Sequence, residues 1–268
     1  VHIHALQEEN KMRTTNLPQE RRQKILEELH LHGKVVAIEL SKRYRVSEDT
    51  IRRDLRALAT AGLLQRVHGG ALPISPSTAS YIERDKQPST TKAMLARVAG
   101  DLVQDGQLII IGSGTTNAEI AKHLPPNLQA TIVTASPQIA LQLARYPHIE
   151  VIMIGGRLNK TELVTTDAKA VAQIKQFQAD TCFLGVCSLH PEVGVTANTY
   201  EEVTLARALI EQSGDVIATV TANKLGTIAP FVVAPIDTIT HIITENQVMD
   251  TILAPYQTRG IQVLKTER

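Results

Sequence analysis

The 268-residue chain reads as an α/β protein: a small helical module closed by a hairpin, then a doubly wound, mainly parallel sheet. Two patterns carry this reading. Between 18 and 62, three helical periodicities follow one another through very short connections. From Thr91 onward, short runs that are apolar at nearly every position alternate with amphipathic stretches. Strands buried on both faces and covered by helices leave that mark. A stretch rich in Pro, Ser and Thr at 73–88 separates the two patterns; such composition disfavours regular structure, and within it Tyr81 to Arg84 are expected to pack on the second region.

The first helix is expected at Pro18–His32, with Ile25, Leu26 and Leu29 on one side and Gly33 as its stop. Lys34, Val35 and Val36 suit a short strand. Residues 37–45 form a second helix with Ile38, Leu40 and Tyr44 apolar, and Arg45 and Val46 make the turn. Ser47 is a good N-cap for the third helix, and Glu48 and Asp49 suit the positive end of its dipole. Ile51, Leu55 and Leu58 form its buried stripe. Arg53 and Arg56 face the other way, with Arg52 and Thr50 on the flanks, and Gly62 ends the helix. Two extended pieces around Arg66 and His68 complete a wing. This is the layout of a winged helix-turn-helix, in which a guanidinium-bearing helix enters the major groove. The residues expected to touch DNA are Lys42, Ser47, Thr50, Arg52, Arg53, Arg56, Arg66 and His68.

In the second region, strands are expected at 107–111, 130–134, 150–154, 180–186, 215–220, 241–244 and 261–264. Helices are expected at 92–103, 115–124, 137–146, 167–177, 201–212 and 247–253. In such sheets ligands sit beyond the C-terminal ends of the strands. The loops there are small and polar: 112–117, 134–137, 155–157, 194–200 and 221–224. The first, Gly112-Ser113-Gly114-Thr115-Thr116-Asn117, opens a helix whose amides can hold an anion. It is neither a P-loop nor a dinucleotide fingerprint. The division expected is a disordered segment at 1–17, a DNA-binding domain at 18–73, a linker at 74–90 and an effector-binding domain at 91–268.

Charge follows this division. Residues 1–72 hold 13 Lys and Arg against 9 acidic residues, a balance of +4, while the remainder balances at −3. The basic excess sits where DNA contact is expected. Cys182 and Cys187 lie in or beside one strand and face opposite sides, so they read as buried thiols rather than a disulfide. No apolar run approaches the length of a membrane span. A cytoplasmic protein without metal or cofactor is expected, working as a homo-oligomer, dimer or tetramer, on double-stranded operator DNA.

The segment from Arg21 to Leu72 resembles the N-terminal domain of the DeoR family of bacterial transcriptional regulators. The likeness runs through Arg22, Ile25, Leu29, Gly33, Leu40, the Val46-Ser47 pair, Thr50 to Leu55, Leu58, Gly62, Arg66 and His68 to Ala71. The second region resembles that family's sensor domain at Ser113 to Thr116, Gly155-Gly156, Asp180, Phe183 to Gly185, Glu202 and Lys224. That domain is similar in fold to ribose-5-phosphate isomerases. The resemblance implies a repressor of a carbohydrate-type operon, released by a small effector such as a phosphorylated sugar. The effector residues it implies are Gly112, Ser113, Gly114, Thr115, Thr116, Gly155, Gly156, Arg157, Glu202 and Lys224.

Four positions depart from the family pattern. Gly112 stands where Asp is common, Ala135 where Asn is common, Asp167 near a usual glycine, and Thr221 where Asp often precedes the lysine. A carboxylate at Asp167 is expected to oppose a bound phosphate. The alternative reading is an isomerase fused to a DNA module. It needs a base beside a carbon-bound proton; Glu202 is the acid available, and the residues at Gly112 and Thr221 supply none.

Overall fold

A computed structural model describes residues 17–86 and 89–267; the segment expected to be disordered lies, except for Leu17, outside them. The chain divides into two compact units. One runs to Ile74 and takes in 226–228; the other comprises 75–225 and 229–268.

In the first unit, α1 (Pro18–His32), α2 (Ala37–Tyr44) and α3 (Glu48–Thr60) surround one apolar core. Proline in the first turn of α1 needs no amide partner there, and Gly33 closes the helix in the left-handed region at φ 69°. Arg45 also adopts that region, at φ 52°, and so reverses the chain between α2 and α3. The Ser47 hydroxyl accepts the amide of Thr50. Ile51, Leu55 and Leu58 are buried as their spacing required, whereas Ile38 is exposed. Strands β1 (Val35–Val36), β2 (Gln65–Val67) and β3 (Gly70–Leu72) form an antiparallel sheet in the order β1-β3-β2. Gly70 is required there, because a Cβ at this position would lie 2.0 Å from the Val35 carbonyl oxygen.

One feature of α3 was not visible in its periodicity. Asp54 is buried on the core side and accepts from Arg21 Nε at 2.6 Å and Arg22 Nε at 2.9 Å. Arg21 is itself buried. These bonds clamp α1 onto the back of α3.

In the second unit, seven strands pair in parallel in the order β15-β14-β12-β9-β4-β5-β6. They are β4 (Leu108–Ile111), β5 (Ala130–Thr134), β6 (Ile149–Met153), β9 (Ala179–Leu184), β12 (Ser213–Thr219), β14 (His241–Thr244) and β15 (Gln262–Lys265). Successive residues feed opposite faces. Ile110, Cys182, Leu184, Val216 and Ala218 enter one core; Ile109, Ile111, Phe183 and Ile217 enter the other. Helices α5 (Thr90–Gly100), α6 (Thr115–Lys122) and α7 (Pro137–Leu143) cover the second of these cores. Helices α8 (Ala168–Ile174), α9 (Tyr200–Glu211) and α10 (Asp250–Gln257) cover the first.

Two expectations change and one element is new. Within the supposed irregular linker, α4 (Tyr81–Asp85) is a helix with a reciprocal capping box between Ser80 and Glu83, and its Tyr81 is buried. Residues 194–200 are not all loop: β11 (Gly194–Ala197) lies between β10 (Ser188–His190) and β13 (Phe231–Ala234) in a small antiparallel sheet. A two-stranded ribbon, β7 (Leu158–Asn159) with β8 (Val164–Thr165), leads into α8. These strands are too short to show a period.

Replacing Asp54 with Ala removes the buried carboxylate that Arg21 and Arg22 share, and removing one partner of a buried pair costs about 3–5 kcal/mol. Arg52 pairs with Glu48 at the exposed surface, so Arg52→Ala is expected to cost less than about 1 kcal/mol. Urea unfolding of the two variants measures the difference; equal losses would show that the clamp is not what holds α1.

Candidate effector cavity and DNA-facing surface

The sheet order reverses between β4 and β9. The connection leaving β4 runs through α6, which packs in one core, while that from β9 to β12 runs through α9, which packs in the other. A crevice opens where neighbouring strands send their chains to opposite faces. The two loops touch at its floor. A Cβ on Gly185 would lie 1.9 Å from the Ser113 carbonyl oxygen, so only glycine fits. Asn117 fixes the first loop from inside, donating its side-chain amide to the carbonyls of Gly112 and Phe183 at 3.0 and 2.8 Å. Gly114 precedes α6 at φ 124°, a conformation that suits glycine.

An outer cleft of about 420 Å³ lies here, lined among others by Ser77, Arg84, Lys92, Thr221 and Glu245. It adjoins an inner cavity of about 40 Å³ reached by Ser113, Gly114, Glu162, Cys187, Glu202 and Thr219. Arg84, Thr115, Thr116 and Lys224 line both. The outer volume is that of an ordinary small-molecule site. The first-turn amides of α6 have no partner within the helix and carry its positive dipole end.

Lys224 belongs to a short 3-10 turn, Ala222–Lys224. The Glu245 carboxylate holds that turn by accepting the Ala222 amide at 2.6 Å. The Lys224 ammonium donates to the Val186 carbonyl at 2.8 Å. Burial pushes its pKa down to about 8, helped by the positive charges of Arg84 and Lys92 and opposed by Cys187 and Glu162. Burial likewise pushes the Cys187 thiol up to about 11. Two buried polar atoms of the inner wall have no hydrogen-bond partner: the Thr219 hydroxyl and Arg84 Nε.

Ser113, Gly114, Thr115, Thr116, Glu202 and Lys224 thus meet at one place, and Gly112 lines a more apolar recess behind it. Gly155, Gly156 and Arg157 do not line the cavity. They follow β6, the edge strand two places from β4. Asp167 explains their pattern: its carboxylate caps α8 through the Ala170 amide at 3.0 Å and holds the Arg157 amide at 2.9 Å. A Cβ on Gly156 would lie 2.5 Å from it. Those backbone bonds, led by the Ala170 amide, keep the Asp167 carboxyl below its usual range. Its charge is committed there and does not line the cavity, contrary to the expectation that it opposes a bound phosphate. Glu202 is also committed: one carboxylate oxygen accepts from the amides of Asn198 and Thr199 and the Thr199 hydroxyl, the reciprocal cap of α9. An acid occupied in this way is poorly placed to act as a base.

The cavity residues that the sequence did not single out for this site include Arg84, Glu162, Cys187 and Thr219. Thr219 ends a strand beside the reversal. The Ser80-to-Glu83 capping signature announced the helix that carries Arg84.

In the first unit, Lys42, Ser47, Arg52, Arg53, Arg56, Arg66 and His68 are exposed and Thr50 is half-buried. Ser47 and Thr50 bond each other through their hydroxyls at 2.9 Å. Arg53 and Arg56 stand one turn apart on the side of α3 away from its core, and Arg66 and His68 lie on the β2–β3 hairpin. Nearby, Glu28 accepts from Arg43 and from the Tyr44 hydroxyl. Burial raises the pKa of this carboxyl, but those two bonds outweigh it and leave it lowered.

Among the described residues no helix is long and apolar enough to cross a membrane. The DeoR-like helix-turn-helix domain matches residues 21–77, and the DeoR C terminal sensor domain matches residues 87–246. The HTH-type transcriptional regulator GolR of Listeria innocua is 29% identical over 92% of this chain and 98% of its own length. The putative aga operon transcriptional repressor of Escherichia coli O157:H7 is 30% identical over 91% and 93%. The glycerol-3-phosphate regulon repressor of Escherichia coli K12 is 31% identical over 75% and 81%. The chain belongs to the DeoR family of DNA-binding transcriptional regulators.

Proposed function

We propose that this regulator represses a carbohydrate-type operon in the cytoplasm and is released by a small anionic metabolite, with a phosphorylated sugar as the leading class. The observation that carries the effector class is the convergence of three features suited to an anion in one cavity. They are the first-turn amides of α6, the enclosed Lys224 ammonium and the partnerless Thr219 hydroxyl. Buried polar groups are normally paired, so the Thr219 hydroxyl left open on the cavity wall suits a ligand that completes it. The names of relatives, a repressor of the aga operon and one of the glycerol-3-phosphate regulon, support the operon class. In this reading Arg53 and Arg56 reach base edges, while Lys42, Arg52, Arg66 and His68 contact phosphates, with Ser47 and Thr50 at the helix start. A small winged module makes few contacts, so the working form is a symmetric oligomer that places two modules on two half-sites. Sedimentation of the full chain as a monomer at DNA-binding concentrations would contradict that part.

The DNA reading is tested at Arg53. Arg53→Ala is expected to lose about 1–3 kcal/mol of operator affinity, the cost of one bidentate base contact, with unfolding unchanged. Arg66→Ala is expected to weaken all sequences alike and to flatten the salt dependence. A folded Arg53 variant that shifts operator DNA like wild type would remove that residue from the reading surface.

The effector reading is tested by pH and by Thr219. Lys224 is cationic below about pH 8. Affinity for a phosphorylated sugar, already dianionic above neutral pH, is therefore expected to fall as pH rises through about 8. Lys224→Met is expected to bind weakly and without that dependence. Thr219→Val removes a buried unpaired hydroxyl, so it is expected to leave stability unchanged or raise it by about 1 kcal/mol while weakening the ligand. Calorimetric titration and thermal unfolding read both effects. A Thr219 variant that is less stable yet binds the ligand normally would place the ligand elsewhere.

A further inference from the structure

The segment joining the two family domains is built into the cavity wall. Ser75 and Ser77 both donate their hydroxyls to the Cys187 carbonyl, at 2.9 and 3.3 Å, and Ser77 accepts from the Asn198 side chain. Tyr81 donates its amide to the Thr161 carbonyl at 2.8 Å. Arg84, on the same stretch, pairs with Glu162, and its own carbonyl accepts the Lys92 ammonium at 3.2 Å. Cys187, Glu162 and Arg84 all line the inner cavity, and Ser77, Arg84 and Lys92 the outer cleft. Only residues 73–80 separate β3 from α4 in sequence.

We propose that Arg84 is a ligand-binding residue and the point at which effector occupancy is passed to the linker: an anionic effector takes over its guanidinium from Glu162. This inference rests on the effector-site reading above.

Three observations support it. Arg84 presents a fork whose Nε is buried and unpartnered, while another arm holds Glu162. A guanidinium suits two oxygens of a phosphate or carboxylate at once. Lys224 and the first turn of α6 line the same small cavity as Arg84. Finally, Glu162 tolerates the loss. Burial, and the negative charge of Glu202, already raise its pKa against the pull of Arg84, and loss of the guanidinium moves it further in that direction. A ligand must interact differently with two arrangements to shift them. Exchange of Glu162 for ligand oxygens supplies that difference on the chain segment that leads to the DNA-binding domain.

The test uses the full chain and inorganic phosphate as the probe, with Arg84→Ala, Glu162→Gln and Lys224→Met beside wild type. Thermal unfolding first confirms that each variant is folded; Arg84→Lys, which keeps the charge without the fork, replaces Arg84→Ala if that one is not. Calorimetric titration is expected to show phosphate binding about ten- to hundred-fold weaker in the Arg84 variant, the worth of one charge-assisted hydrogen bond. Binding is expected to be tighter in Glu162→Gln, where the guanidinium is no longer held. A residue that merely supports the fold would not give opposite effects in the two variants. Hydrogen exchange is then expected to show phosphate changing the linker amides at 75–86 in wild type and Glu162→Gln but not in the Arg84 variant. If Lys224→Met weakens phosphate and the Arg84 variant binds and responds like wild type, the Arg84 inference is overturned and the site stands. If Lys224→Met binds like wild type, or phosphate does not bind wild type, the site reading falls and this inference with it.

Discussion

The contact between two loop backbones at Ser113 and Gly185 sets the terms for the sensor domain. Strands β4 and β9 run side by side, and the chains leaving them pass so close that a single methyl group would not fit. Beyond that point they part to opposite faces of the sheet. Everything that makes the cavity useful follows from the parting. The α6 helix starts at the floor, so the residues of its first turn line the opening. The strand end at Thr219 and the turn at Lys224 close one side. Asn117 spends its amide holding this arrangement rather than contacting a ligand.

Two buried polar clusters illustrate different uses of charge. Around Asp54, one carboxylate meets two guanidinium groups and joins two helices. A satisfied cluster of this kind specifies how α1 docks. Around Lys224, positive charge is crowded, hydroxyl and guanidinium atoms lack partners, and the ammonium is held at a depressed pKa. Buried groups without partners cost stability, and a ligand that pairs with them would recover it.

Much of the fold was legible because its signals are local. Pro18 and Gly33 bracket α1, Ser47 caps α3, and the apolar runs at 130–134 and 241–244 coincide with β5 and β14. What escaped depends on partners far away in the chain. Asp54 looks like a surface acid until Arg21 and Arg22, more than thirty residues earlier, are placed over it. The loop at 155–157 was expected in the site because it follows a strand. Strand order, which no local period encodes, puts β6 at the edge and leaves its glycines to serve Asp167. Arg84 was hidden by a linker composition that masked a one-turn helix, although the Ser80-to-Glu83 cap was present in the sequence.

The central claim is that the metabolite controlling DNA affinity binds where the sheet order reverses. A crystal structure of the full chain with the metabolite that shifts its operator affinity tests this most directly. The account predicts the anionic group about 3 Å from the amides of Thr115 to Asn117, with Lys224 and the Thr219 hydroxyl in contact. A ligand that controls DNA affinity but is seated against Gly155, Gly156 and Arg157, away from these groups, would contradict it.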